Sequence, residues 1–248
     1  MDRPRVFAIP ASPPCLCVEA ALRLKGVAYD VTVLPPVFHV LHQRLRFGTL
    51  TVPTLVLPGG EKVVGSRRIC QRIEDTWPSP ALYPAGIAAR VREAERWGDE
   101  ELQPYGRRML WWSMRRRPDA AFSYVENAKL AVPMPPAVAK RLGPLLTPVG
   151  QWRNKGTDDA VRHDFATLPA ALGQVEAFLD EGVIGGEQPT AADLQILAVL
   201  RALMTIGDVA RVIETRPRVA ELARRVYPSW PGHVPVGVAP AEWLLAYR

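Results

Sequence analysis

A short apolar run, Val6-Phe7-Ala8-Ile9, stops at Pro10, and a few residues later the pattern turns helical through Val18-Glu19-Ala20-Ala21-Leu22-Arg23-Leu24. A second apolar run, Tyr29 to Leu34, follows Gly26. Strand, short loop, helix and strand in that order constrain the start of the chain to an α/β unit. The loop is Ser12-Pro13-Pro14-Cys15-Leu16-Cys17, so one hydroxyl and two thiols sit where loop becomes helix. A helix start offers unpaired N–H groups and a partial positive charge. Those favour an anion, and a thiolate is one such anion. The alternative is a Pro-rich turn holding two buried, inert cysteines.

After this unit come a loop through His39 and His42 and a short helical pattern around residues 37–45. Leu50 to Leu57 is apolar and β-rich. Pro58-Gly59-Gly60-Glu61 is a turn, and Lys62-Val63-Val64 returns, which predicts a hairpin. Ser66 is placed to cap a helix over residues 67–76, with Ile69, Cys70 and Ile73 on one face. Beyond residue 85 the β signals fade. Helical periodicity covers 88–112, 120–130, 137–146, 158–179, 190–204 and 218–226, and the Pro-rich tail from Ser229 reads as an irregular strap. The fold class is therefore an α/β domain over residues 1–84 and an all-helical domain over 85–248.

At 48% apolar residues the chain can build a real core, and no apolar run reaches the ~18 residues of a membrane span. Strand-like sequence begins within about five residues, so no signal peptide is expected. Three cysteines cannot all pair, so a reducing cytoplasm is expected. Twenty-six arginines against five lysines, with 25 prolines, point to a GC-rich, bacterial genome. The net charge of +6 and the cluster Arg107-Arg108, Arg115-Arg116-Arg117 beside Trp111-Trp112 raise single-strand binding. Glu93, Glu95, Asp99, Glu100 and Glu101 lie just upstream, and no nucleic-acid motif accompanies them. Neither a nucleic acid nor a membrane is expected as partner. The charge implies at most a weak preference for small anions. His39 and His42 share a helical face without a third ligand, so no metal is expected.

Three local features converge. Ser12 to Cys15 stands at a strand-to-helix junction. Thr51-Val52-Pro53-Thr54-Leu55 has a proline opening a buried strand, which suits a cis Val52–Pro53 bond and frees the N–H and C=O of Val52 for a peptide-like ligand. Gly65-Ser66-Arg67 is a helix start able to receive a carboxylate. With Val63-Val64-Gly65-Ser66, Ser79-Pro80-Ala81-Leu82-Tyr83-Pro84 and the capping sequence Gly185-Gly186-Glu187-Gln188-Pro189-Thr190-Ala191-Ala192-Asp193, these resemble the glutathione S-transferase family, in its serine-type form. The resemblance covers residues 5–84 and 160–226; residues 113–157 and the tail lie outside it.

The resemblance implies a thioredoxin-like N-terminal domain, a helical C-terminal domain, a homodimer and glutathione, or another low-molecular-weight thiol, as cosubstrate. It gives Ser12 the thiolate-stabilising hydroxyl, with Cys15 three residues on. Val52 and Pro53 become the backbone clamp, and Ser66 and Arg67 the carboxylate site. Gly65 replaces the family's acidic residue; the missing contact would cost glutathione roughly 1.5–3 kcal/mol. The implied chemistry is attack of the thiolate on a small hydrophobic electrophile. Tyr105, Arg108, Met109 and Trp112 share a helix face and are the candidate electrophile pocket. Two alternatives stay open: a non-catalytic binding or assembly protein of the same fold, and a thiol-disulfide reductase using Cys15.

Overall fold

The computed structural model describes residues 3–247. Strand β1 (Arg5–Ala8), helix α1 (Pro13–Leu24) and strand β2 (Asp30–Val33) make the βαβ unit, the two strands parallel with Arg5 opposite Asp30. Helix α2 (His39–Phe47) follows, and its His42 and Phe47 rings pack on Phe7 with centroids 5.4 and 4.8 Å away. Strands β3 (Thr54–Val56) and β4 (Lys62–Val64) form the hairpin, and helix α3 (Ser66–Thr76) closes the unit. The mixed sheet has the order β2-β1-β3-β4, the thioredoxin-like arrangement. Ser66 is not the cap of α3, as the sequence predicts, but its first residue. Gly65 is the cap, at φ 89° and ψ 137°, a conformation that side chains avoid.

The rest is helical. Helix α4 (Ala88–Trp97) runs through one π-helical turn (Gly98–Leu102) into helix α5 (Gln103–Arg116). Pro104 removes an N–H there, and a widened turn accommodates the carbonyl left over. Gly98 is needed at that turn: a Cβ would lie 2.7 Å from Ile196. The predicted helix over 120–130 is instead a 3₁₀ segment (Pro118–Tyr124) and a turn. Helix α6 (Pro136–Arg153) is longer than its periodicity indicated and passes through Pro144 and Pro148. Pro148 cannot donate to the Pro144 carbonyl, and the Thr147 hydroxyl donates to it at 3.1 Å. Helices α7 (Asp158–Asp180), α8 (Ala191–Leu203), α9 (Gly207–Glu214) and α10 (Pro217–Val226) complete the bundle.

Every residue of α8 except Arg201 is buried, and α1, α4, α5 and α10 all pack against it. A helix so enclosed has no water to satisfy its first N–H groups. Thr190 and Asp193 do so reciprocally: the Asp193 N–H donates to the Thr190 hydroxyl, and the Thr190 and Gly185 N–H groups donate to the Asp193 carboxylate at 2.8 Å. Replacing Asp193 by Ala orphans two buried donors, and we expect it to lower unfolding free energy by roughly 2–4 kcal/mol in urea titration.

The segment joining the two parts is clamped. The buried Lys25 ammonium donates to Glu74 and to the Pro80 carbonyl, each at 2.5 Å, and Glu74 accepts from the Leu82 N–H at 2.9 Å. The tail is an irregular strap up to Pro240 and then, against the expectation, a 3₁₀ helix (Ala241–Tyr247). Gly237, Val238 and Ala239 donate their N–H groups to the buried Asp208 carboxylate, and Trp243 stacks on Trp112 at 5.5 Å.

The Tyr83 hydroxyl donates to Glu95, which is fully buried on α4. Burial raises the Glu95 carboxyl from 4.5 to about 7, only partly opposed by Tyr83. The folded state thus holds that proton more tightly than the unfolded chain. The contribution is complete below pH 4.5 and is lost as pH climbs through about 7. It amounts to on the order of 3 kcal/mol. We expect Glu95→Gln, which keeps an acceptor for Tyr83, to be more stable relative to wild type at about pH 8 than at about pH 5, in paired urea titrations.

Candidate active site

A cavity of about 390 Å³ lies where the sheet unit meets the helical part. The sheet unit supplies the loop before α1, the stretch from Pro35 to His39 and the turn from Leu50 to Val52. The helical part supplies one face of α5, the 3₁₀ segment and the inner face of α6. The wall is largely apolar and contains no Asp or Glu among the described residues. Its basic members are His39, Arg107 and Arg153. Burial first, and the charge of Arg153 second, bring His39 down to about 4. It is therefore a neutral imidazole near pH 7. Ala11 and Val37 line the cavity with φ of 56° and 69°. Both are left-handed conformations that a side chain disfavours, most of all a β-branched one. Such outliers concentrate where a site's shape is over-determined by its surroundings.

Ser12 lies on this wall at the start of α1. Its hydroxyl makes no capping bond and instead lies in hydrogen-bonding reach of the Cys15 sulfur. The expectation of several free N–H groups at this helix start needs correction. Pro13 and Pro14 fill the first two helical positions and carry none, and the Leu16 N–H is bound to the Ser12 carbonyl at 3.0 Å. The Ser12 hydroxyl and the Cys15 N–H are the donors left at this helix start. Cys15 itself is fully buried, and burial pushes its thiol up to about 12. That leaves it without the exposed thiolate a reductase cysteine needs. Cys17 and Cys70 are equally buried, their sulfurs 3.9 Å apart.

Val52 shares the wall with Ser12, and the Val52–Pro53 bond is cis. The Val52 N–H and C=O have no hydrogen-bond partner among the described residues. The Gly65 N–H donates to the Pro53 carbonyl at 3.0 Å, which draws the start of α3 beside that turn. Pro53, Ser66 and Arg67 are not part of the cavity wall. Ser66 is buried, and Arg67 turns to Glu100 at 2.7 Å.

The residues predicted from α5 point elsewhere. Met109 and Trp112 are core, Tyr105 bonds the Thr167 hydroxyl at 2.8 Å, and Arg108 makes a two-point ion pair with Asp164. The adjacent face, Gln103, Arg107, Leu110, Trp111 and Met114, lines the cavity. Both faces are apolar at helical spacing, so periodicity could not choose between them. Neither 3₁₀ segment nor α6 carried any sequence signal of a role in the site. Among the described residues no group of three His, Cys, Asp or Glu is placed to hold a metal ion, and no helix is long and apolar enough to cross a membrane.

Residues 6–81 match the family model of the glutathione S-transferase N-terminal domain. A comparison with curated proteins found no match. Among solved structures, a glutathione S-transferase from Rhodospirillum rubrum F11 is 18% identical, with 91% of this chain and 88% of that chain covered and a TM-score of 0.56. Glutathione transferase F7 from Populus trichocarpa is 16% identical, with 91% and 94% covered and a TM-score of 0.59. Maleylacetoacetate isomerase from Anaeromyxobacter dehalogenans 2CP-1, with bound dicarboxyethyl glutathione and citrate, is 21% identical, with 90% of each chain covered and a TM-score of 0.53.

With all three thiols buried, we expect an aromatic disulfide reagent to titrate none of them rapidly in the native protein and all three in denaturant.

Proposed function

We propose that the chain is a thiol transferase of the glutathione S-transferase family, whose N-terminal domain model matches residues 6–81. A low-molecular-weight thiol, glutathione or a relative, lies with its sulfur at Ser12, its backbone paired to the free N–H and C=O of Val52 and its carboxylate end at Ser66 and Arg67. The carrying observation is that Ser12 and the unpaired Val52 backbone face one apolar cavity. The Ser12 hydroxyl, which lies beside the Cys15 sulfur, turns its hydrogen to the ligand sulfur when the thiol binds. That hydrogen bond stabilises the thiolate and lowers its pKa. The thiolate attacks an apolar electrophile seated among Leu110, Trp111 and Met114, with Arg107 facing any charge that develops on it. Cys15 is a positioning residue in this scheme.

Two further readings accompany it. The family leads us to propose a homodimer through α3 and α4. On those helices Arg67, Arg90 and Arg96 have carboxylate partners within the chain, whereas Arg68 makes no ion pair among the described residues and is left for a partner subunit. Gly65 favours a non-catalytic binding protein, because the acidic contact to an α-ammonium is missing. Its open surroundings equally suit a thiol with a bulkier head.

The test is calorimetry with glutathione and other cellular thiols, followed by turnover with small electrophiles. With few competing N–H donors at the sulfur, Ser12→Ala is expected to lower kcat by one to three decades, roughly 1.4–4 kcal/mol, with thiol affinity nearly unchanged. Ser66→Ala is expected to weaken thiol binding instead. Absence of any thiol binding would remove the transferase reading in favour of the binding protein. Gly65→Glu is a poor rescue variant, since φ 89° costs a side chain about 1–3 kcal/mol before any ligand is gained.

A further inference from the structure

The stretches 31–60 and 127–157 contain no Asp or Glu. The first carries Arg44 and Arg46; the second carries Lys129, Lys140, Arg141, Arg153 and Lys155. None of these seven forms an ion pair among the described residues, whereas most arginines of α3 to α5 do. The same stretches hold large apolar side chains facing solvent. Leu41 and Leu45 on α2 are 67% and 78% exposed, and Leu145 and Trp152 on α6 are 70% and 78% exposed. Val138, Leu145, Val149 and Trp152 recur at spacings of seven, four and three, so they form one outward stripe of α6, while Leu142, Leu146 and Gly150 of its inner side line the cavity. Phe38, Leu50 and Arg153 both line the cavity and are exposed, which places its opening between α2 and α6.

We propose that this face docks on the surface of an anionic phospholipid bilayer, with Leu41, Leu45, Leu145 and Trp152 entering the headgroup–acyl boundary and the unpaired Lys and Arg meeting lipid phosphates. Charge complementarity selects the occupant. A second copy of the chain, seated face to face, would oppose two sets of unpaired cations with no acid between them. A nucleic acid would match the charge and leave the exposed leucines without an apolar partner. An anionic bilayer matches both at once: an apolar stripe bordered by Lys and Arg, with Trp at the interface, is what lies flat on such a surface. The cavity opening then faces the lipid, where apolar compounds concentrate. The expectation of no membrane partner rested on the lack of a spanning segment, and surface docking needs none. The docking does not depend on a thiol at Ser12.

The experiment is co-sedimentation of the full chain with phosphatidylcholine vesicles, with and without about 30 mol % phosphatidylglycerol, at about 0.1 M salt. We expect binding to the anionic vesicles at least about tenfold stronger than to neutral ones, weakening further at about 0.5 M salt. Leu145→Ser with Trp152→Ser, and separately Lys140→Glu with Arg141→Glu, are each expected to reduce it about tenfold at unchanged far-ultraviolet circular dichroism. Should a double variant fold poorly, Trp152 reports directly. Its emission, taken as wild type minus Trp152→Phe, is expected to move to the blue and to be shielded from acrylamide on anionic vesicles. No sedimentation with anionic vesicles, equal binding to neutral ones, folded variants that bind like wild type, or an unmoved Trp152 spectrum would each overturn the proposal. So would light scattering that shows a dimer dissolved by Leu145→Ser with Trp152→Ser and no vesicle binding.

Discussion

The burial of α8 on every side is the constraint from which the rest of the molecule hangs. A helix enclosed by α1, α4, α5 and α10 cannot leave its first N–H groups to water, so the Thr190–Asp193 cap is obligatory rather than decorative. The same helix fixes two others that matter for the site. Helix α1 carries Ser12 at its start, and α5 carries Arg107, Leu110 and Trp111; each is held against α8 and hence against the other. The Lys25–Glu74–Leu82 clamp ties the end of α1 opposite Ser12 to the joining segment, and the Tyr83–Glu95 bond ties that segment to α4.

The chemistry of the cavity follows from what its wall omits. Among the described residues no carboxylate lines it, His39 is kept neutral by burial and by Arg153, and two prolines strip N–H groups from the start of α1. A helix start usually stabilises an anion with several backbone donors at once. Here, in the proposed reading, most of that task would fall to the Ser12 hydroxyl. The left-handed backbone of Ala11 and Val37 shows that the wall's shape is maintained against local preference, at a cost the α8 core offsets.

Residues 113–157 add what the rest of the fold lacks. The Ala131 N–H donates to the Val33 carbonyl at 2.7 Å, so this segment covers the open edge of β2 and then returns as α6 across the cavity. Gly150 permits that return, because a Cβ there would collide with the Trp111 ring. One consequence is an α6 that is apolar on both sides, inward over the cavity and outward to solvent.

Much of this was legible in the residues. The alternation of apolar runs with helical periodicity determined the βαβ–ββα order, Val52-Pro53 marked the turn beside the site, and Thr190 to Asp193 marked the cap, because each depends on neighbours within a few residues. The place of Ser12 at the strand-to-helix junction was legible for the same reason. Other features depended on contacts between distant segments. Only tertiary packing decided which apolar face of α5 meets the cavity, that Arg108 belongs to Asp164 while Arg107 is left facing it, and that Cys15 is sealed from solvent. The helix through Pro144 and Pro148 runs against local propensity and survives because Thr147 and the packing beneath it satisfy what proline removes. The acid-free stretches 31–60 and 127–157 can be read off the sequence, but they become one surface only when folding brings α2 and α6 to the same opening.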